Sequence, residues 1–130
     1  MKPVLRVVAA ALFDERGRVL IAQRPPGKPM AGRWEFPGGK IDAGESERGA
    51  LDRELREELG VEVAGAERML ELRHEYPDRI VELCMWRITG YTGVPHPHDG
   101  QALKWVAPAR LPEEDLLEAD RPIVARLAQS

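Results

Sequence analysis

A segment of closely spaced glutamates has the side chains needed to hold a divalent cation. Its fixed positions are Gly39, Glu45, Arg53-Glu54-Leu55, Glu57-Glu58 and Gly60-Val61. Residues three or four apart are neighbours on a helix surface, so a helix would bring Glu54, Glu57 and Glu58 together, where their like charges repel. Carboxylate oxygens are the ligands that hard cations such as Mg²⁺ or Mn²⁺ prefer. The spacing therefore predicts a metal site on one side of a helix.

The segment that carries these glutamates is predicted to be helical. Ser46 is a suitable N-cap and Gly60 a suitable terminator, so the helix is expected to run from Ser46 to about Leu59. Leu51, Leu55 and Leu59 recur every four residues. They form an apolar stripe that we expect to face a sheet.

The position of the glutamates relative to this stripe favours a site over a solvated face. Glu54 and Glu58 fall at the edge of the stripe, and Glu57 lies farther round the same flank. Arg53 is expected to point to a different side from Glu54, so a cation would compensate the charge better than the arginine. The alternative, a solvated Glu/Arg helix, is common. The preceding Gly38-Gly39 pair favours the site, because glycine lets the backbone approach a ligand closely.

The elements that must position this helix are mostly strands. The predicted strands are residues 5–12 and 18–24, joined as a hairpin through 14–17, then 34–36, 70–76, 80–92 and 102–106. The sequence Pro37-Gly38-Gly39 is expected to break the strand before it, and residues 119–127 to form a C-terminal helix. This pattern predicts an α/β fold in which helices cover a central mixed sheet.

The composition excludes several classes of protein. The chain has 130 residues, 43% of them hydrophobic and 32% charged, as in a globular protein with one domain, residues 1–130. The net charge of −3 gives no reason to expect a nucleic-acid partner. One cysteine, Cys84, excludes an internal disulfide. We expect no secretory signal, and no apolar stretch approaches the ~20 residues of a membrane helix. We therefore expect no membrane partner and a cytoplasmic location.

The segment 39–61 resembles the Nudix box, the signature of the Nudix hydrolases, at every fixed position. The resemblance extends to the MutT-type branch in segments outside the box, namely Ala22-Gln23-Arg24-Pro25, residues 34–40, Tyr76-Pro77-Asp78-Arg79, Asp99-Gly100-Gln101 and residues 119–122. It implies the Nudix fold, an α/β/α sandwich with a central mixed β-sheet. It also implies Mg²⁺-dependent hydrolysis of a nucleoside triphosphate to a nucleoside monophosphate and pyrophosphate, with Mn²⁺ as a possible substitute.

The resemblance assigns roles to the residues of the box. It implies that Glu54 and Glu58 bind the metal together with the Gly38 carbonyl, and that Glu57 binds a further ion or orients water. Glu54 or a neighbour would serve as the general base. Several carboxylates that share a site titrate as a group, so the residue types leave the choice of base open.

Three more catalytic residues follow from the resemblance. Arg53 would pair with Glu45 and hold the loop on the helix. Asp99 falls where the branch places a glutamate in a loop that reaches the metal-bound water, and it would be a further catalytic and metal-binding residue. Its side chain is one methylene shorter, and the alternative is an ordinary turn aspartate before Gly100.

Substrate binding is predicted at residues outside the box. By the same resemblance, Arg24 corresponds to a position of the MutT-type branch that touches the α-phosphate or the base of the nucleotide. Phe36, preceded by Glu35, lies where the branch packs the base. Asp78 and Arg79 are expected at the turn beside the pocket.

Asp120 is the strongest clue to the base. An ionised carboxylate only accepts hydrogen bonds, and guanine offers N1–H and the 2-amino group side by side. Cytosine offers one amino donor beside an acceptor nitrogen, so Asp120 favours guanine. The alternative is an N-cap for the last helix.

The predicted function is therefore hydrolysis of 8-oxo-dGTP, which would remove it from the nucleotide pool as a DNA-repair activity. The first alternative is hydrolysis of (d)CTP or a modified pyrimidine triphosphate. The second is a non-catalytic nucleotide-binding regulatory module, because a fold can persist without its chemistry. The substrate would be the partner of a monomer or homodimer.

Overall fold

The computed structural model describes residues 1–128. The two last residues of the predicted domain, 129 and 130, lie outside this part. The elements in chain order are β1 (Val4–Ala11), β2 (Val19–Gln23), β3 (Trp34–Glu35), β4 (Gly38–Lys40), α1 (Glu47–Leu59), β5 (Glu62–Glu75), β6 (Ile80–Thr92), β7 (Leu103–Val106) and α2 (Arg121–Ala128). Short 3₁₀ segments span Pro108–Glu113 and Glu118–Asp120.

The strands form two sheets, and the larger one is mixed as predicted. Its order is β4-β1-β6-β5, with β1 parallel to β6 and the other pairs antiparallel. The smaller sheet has the order β3-β2-β7 and is antiparallel. The parallel pairing of β1 with β6 requires the long connection that contains α1.

The two helices cover opposite faces of the larger sheet. Side chains of β1 alternate, with Val8 and Ala10 in the core cluster of α1, and Ala9 and Ala11 in the core cluster of α2. The predicted sandwich of helices around a mixed sheet is therefore confirmed. None of the helices within residues 1–128 is long and apolar enough to span a membrane.

Helix α1 forms as its sequence predicts. The Ser46 hydroxyl accepts a hydrogen bond from the Gly49 amide at 3.0 Å, and Gly60 ends the helix with a φ of 70°. The leucines of the predicted stripe are fully buried. The apolar stripe and the caps thus define where the carboxylate face lies.

The predicted hairpin of the first two strands is wrong beyond its turn. Only Phe13 and Val19 form a bridge, after which β1 and β2 diverge into different sheets. The turn is stabilised locally, because Asp14 Oδ1 accepts from the amides of Arg16 and Arg18, each at 2.9 Å. Sequence periodicity describes each strand alone and does not specify its partner.

Three predicted boundaries also change. Strand β5 begins at Glu62 rather than at Leu70. The sequence does not reveal its first part, because register shifts between residues 63 and 70 break the alternation that a regular strand would show. The strand before Pro37-Gly38-Gly39 is broken there as predicted and ends at Glu35, but Gly38–Lys40 forms a further strand that pairs with β1. Helix α2 begins at Arg121, two residues later than predicted, because residues 118–120 form a 3₁₀ turn.

Candidate active site

A cleft of about 620 Å³ opens where β1, β4, α1 and the segment before α2 meet. This volume lies in the range of small-molecule sites. Of the predicted site residues, those that line the cleft are Arg24, Glu35, Phe36, Gly38, Glu54, Glu58, Arg79, Asp99 and Asp120. The carboxylates of α1 and the predicted base-reading residues therefore share one cavity.

Glu58 is the most perturbed carboxylate of the helix. Its Oε2 accepts from the Gly38 amide at 3.0 Å, which ties β4 to α1. Burial and, to a smaller extent, the charges of Glu54, Glu35 and Asp99 together raise the pKa of Glu58 to about 8, against the hydrogen bond from the Gly38 amide. A cation in this place would relieve both effects, so the donor set suits a divalent ion.

Glu54 lies against a backbone that leaves room for it. A Cβ on Gly39 would come within 2.5 Å of both Glu54 carboxylate oxygens, and a Cβ on Gly38 would overlap the Val8 carbonyl oxygen. Burial raises the pKa of Glu54, whereas its hydrogen bond with Arg53 lowers it. Glycine is therefore needed at both positions, because a side chain would collide with the Val8 backbone at Gly38 and with the Glu54 carboxylate at Gly39.

Arg53 connects the helix to the preceding loop. Its Nε and Nη2 donate to Glu45 at 2.7 and 2.9 Å, and Nη2 also donates to the Lys40 carbonyl at 3.0 Å. The hydrogen bonds from Arg53 lower the pKa of Glu45 to about 2. The expectation that Arg53 points away from Glu54 is wrong, because Nη1 donates to Glu54 Oε1 at 2.9 Å. A long guanidinium side chain reaches round the helix beyond the direction of its Cβ.

Glu57 is the most exposed of the three predicted carboxylates of α1. It is exposed, forms an ion pair with Arg53 at 3.4 Å and does not line the cavity. Within residues 1–128, no three acidic, histidine or cysteine side chains already converge as a metal site. The metal-binding roles of Gly38, Glu54, Glu57, Glu58 and Asp99 therefore all stay predictions.

Arg24 and Glu35 form an ion pair inside the cleft. Arg24 Nη1 donates to Glu35 at 3.0 Å, and its Nε donates to the Pro29 carbonyl at 2.7 Å. Burial raises the pKa of Glu35, and the charge of Arg24 opposes this. Arg24 thus holds the loop of residues 25–33 over the cavity as well as facing it.

Asp120 is a buried carboxylate of the cleft lining. It is 5% exposed, and its Oδ2 accepts from the amide of Phe36, which is 3% exposed, at 3.1 Å. Burial raises the pKa of Asp120 to about 7, and the hydrogen bond from Phe36 opposes this. Within residues 1–128 this is the one hydrogen bond of the carboxylate, so its other oxygen is left for a ligand.

Of the two residues of the predicted turn, only Arg79 lines the cleft. Arg79 lines the cleft and lies over the Tyr76 ring, 5.0 Å from its centroid. Asp78 has a side chain 74% exposed, pairs with Arg79 at 3.4 Å and lies outside the lining. The structure therefore brings Arg79 to the cleft and leaves Asp78 at its outside.

Three polar side chains of the lining were not assigned a role from the sequence, namely those of Lys28, Lys40 and Tyr76. The position of Lys40 directly after the glycine pair is a signal that could have identified it. The alternation of Tyr76 with Leu72 indicated a buried face, whereas Lys28 lies in a Pro/Gly-rich loop without any periodicity.

A mixed sheet between two helices, with a glycine pair opposite a carboxylate-bearing helix in one cleft, defines a Nudix hydrolase. The NUDIX domain model matches residues 8–126, and the chain belongs to this family. Nudix hydrolases act on nucleotide substrates and generally use divalent metal ions.

The relatives that the chain resembles are named for different substrates. A CTP pyrophosphohydrolase of Escherichia coli is 41% identical over 117 residues, which cover 90% of this chain and 87% of the relative. An 8-oxo-dGTP diphosphatase of Escherichia coli is 32% identical over 123 residues, 95% of each chain. A solved MutT structure, from work on the Aliivibrio salmonicida and Vibrio cholerae proteins, has a TM-score of 0.84 at 33% identity and covers 98% of this chain and 99% of that one.

Proposed function

We propose that this Nudix hydrolase is a Mg²⁺- or Mn²⁺-dependent nucleoside triphosphate pyrophosphohydrolase that prefers 8-oxo-dGTP. Nucleoside monophosphate and pyrophosphate are the products. The observation that carries the proposal is that the Glu54 and Glu58 carboxylates line the same cleft as the buried Asp120 carboxylate. Removal of 8-oxo-dGTP from the nucleotide pool would serve DNA repair.

The carboxylates of α1 suit the binding of the phosphates through a cation. Glu54 and Glu58 would hold the cation, with the Gly38 carbonyl, Glu57 and Asp99 as further candidate ligands. A bound divalent ion supplies charge neutralisation for the phosphates and activates the attacking water. Arg53 holds Glu54 in place and fastens the loop through Glu45. The base is one of the clustered carboxylates.

Asp120 and its neighbours suit the base. The amide of the buried Phe36 donates to Asp120, and Arg24, Glu35 and Arg79 line the same cleft. The ionised carboxylate can accept from guanine N1–H and the 2-amino group, because Oδ1 is unbonded in the described part of the chain and Oδ2 keeps a second lone pair beside its bond from the Phe36 amide. A buried acceptor pair of this kind discriminates strongly, because a base without those donors would leave it unpaired.

A second candidate is hydrolysis of CTP or dCTP. The 41% identity to a relative named CTP pyrophosphohydrolase favours it. The raised pKa of Asp120 also permits it, because a neutral carboxyl donates to the acceptor nitrogen of cytosine and accepts from its amino group.

The test is a panel of 8-oxo-dGTP, dGTP, dCTP and dATP with the purified protein in Mg²⁺, Mn²⁺ or EDTA. The released nucleotide and pyrophosphate are identified by chromatography. We expect 8-oxo-dGTP to have the highest kcat/KM and EDTA to abolish turnover. Preference for dCTP would favour the second candidate. Nucleotide binding without hydrolysis in any metal would indicate a binding module and contradict the proposal.

A further inference from the structure

The loop that carries Asp99, residues 93–100, is fastened to the end of α1. The amides of His96 and His98 donate to the carbonyls of Leu59 and Glu58 at 3.0 and 3.1 Å. His98 Nδ1 lies 3.0 Å from the Glu57 carbonyl, and since a carbonyl only accepts, Nδ1 carries the proton. These bonds satisfy carbonyls that a helix end leaves free. The loop is therefore positioned by the helix that bears the site carboxylates.

A buried side chain directly after this loop accepts a hydrogen bond from its backbone. Gln101 is 6% exposed, and its Oε1 accepts from the Asp99 amide at 3.1 Å. The Gly100 amide donates to the Pro97 carbonyl at 3.0 Å, and the φ of Gly100 is +73°, so the chain turns sharply here. An amide side chain buried beneath a turn can hold that turn rigidly, because leaving its oxygen unpaired would be costly.

The turn presents Asp99 to the cleft. Asp99 lines the same cavity as Glu54 and Glu58. Its charge is among those that raise the pKa of Glu58, so the two carboxylates are within electrostatic reach. The orientation of the Asp99 backbone thus decides whether its short side chain faces the carboxylate cluster.

We propose that Gln101 is a positioning residue for hydrolysis, whose buried amide oxygen holds the Asp99 backbone so that the Asp99 carboxylate faces the carboxylates of α1. The inference rests on the proposed function. Gln101 acts through Asp99 and touches neither substrate nor metal. The short aspartate reaches the site because the turn beneath it is held in one conformation.

The bond is tested first without activity, by hydrogen exchange of the Asp99 amide in the metal-free protein. Gln101→Met removes the acceptor at similar volume, Gln101→Ala is a second variant without it, and Gln101→Glu retains it. We expect exchange about tenfold faster in the Met and Ala variants and within about threefold of wild type in the Glu variant. Val94→Ala, at an exposed position of the same loop, is the control. Unchanged exchange in the Met and Ala variants would overturn the inference.

Kinetics then tests whether the bond serves catalysis. We expect Gln101→Met to lower kcat about tenfold with KM changed less than about threefold, and Gln101→Glu to restore most of the loss. The double variant Gln101→Met/Asp99→Asn should be no slower than Asp99→Asn alone, because both changes remove one function. Losses that multiply would show that Gln101 does not act through Asp99. If the wild type hydrolyses no nucleotide, the proposed function fails, whereas the exchange measurement still decides whether Gln101 holds Asp99.

Discussion

The Phe36 amide donates to Asp120 Oδ2 at 3.1 Å, a bond between residues 84 positions apart. It joins the end of β3 to the segment before α2 and fixes the carboxylate inside the cleft. The carboxylate therefore accepts from the residue that follows β3. An N-cap would instead accept from a backbone amide in the first turn of α2. One oxygen is used in this way, and the other is left to meet a base.

We expect substitutions of Asp120 to change the order of nucleotide preference. Asp120→Ala leaves guanine donors unpaired. It should lower kcat/KM for 8-oxo-dGTP by an amount that corresponds to about 2–4 kcal/mol of activation free energy. Asp120→Asn should cost less, because its amide oxygen still accepts, and it should discriminate less against dATP. The kcat/KM values of 8-oxo-dGTP, dGTP, dCTP and dATP are compared among wild type and both variants. Equal losses for all four nucleotides would contradict base recognition by Asp120.

The stability of the metal-free protein should fall as pH rises from about 4.5 to 8. The pKa of Glu58 is raised to about 8 and that of Asp120 to about 7 in the fold, so the folded state binds more protons than the unfolded state across this window. Thermal unfolding in EDTA at several pH values measures this slope. Glu58→Gln should flatten it, whereas Glu62→Gln, at an exposed ion pair, should not. Mg²⁺ or Mn²⁺ should raise Tm more at pH 8 than at pH 5.5. Parallel curves for wild type and Glu58→Gln would argue against this account.

Glu54→Gln should remove catalysis while preserving the fold. The change keeps the shape but removes a ligand charge and any base function, so kcat should fall at least ~10³-fold, with nucleotide binding affected less. Steady-state kinetics and nucleotide titration measure the two effects. Glu62→Gln serves as the matched control. A Glu54→Gln enzyme with more than about a tenth of wild-type turnover would refute this role.

Gly39→Ala should impair activity through the position of Glu54. The new Cβ would lie within 2.5 Å of both Glu54 oxygens, and this flexible carboxylate must move away. We expect kcat to fall about 100-fold with a small change in Tm, because the end of a side chain yields more easily than backbone. Gly90→Ala is the control, since its Cβ would meet its neighbours at 3.8 Å or more. Full activity of Gly39→Ala would show that Glu54 need not occupy its observed position.

Arg53→Ala should lower activity and stability together. The guanidinium holds Glu45, Glu54 and the Lys40 carbonyl, so its loss frees the loop and misplaces a site carboxylate. We expect Tm to fall by about 5 °C and kcat by at least tenfold. Arg56→Ala removes only an exposed pair with Glu62 and should change neither. Wild-type activity and Tm in Arg53→Ala would make Arg53 a plain surface charge.

The features that sequence alone determined are the local ones. Ser46, Gly60 and the leucines spaced by four specify α1, because caps and helical periodicity depend on residues within one or two turns. The same spacing places Glu54 and Glu58 at the edge of the buried stripe. The strands were identified where alternation is regular, and β5 was missed before Leu70, where its register shifts.

Tertiary structure decided which of these elements meet. It brings Asp120 to Phe36, Gly38 to Glu58 and Gln101 under Asp99, and it leaves Asp78 outside the cleft. Periodicity reports which face of a segment is apolar, but many partners could cover that face equally well. The long-range contacts are selected by packing all the apolar faces at once, and the pKa values of the buried carboxylates follow from that packing.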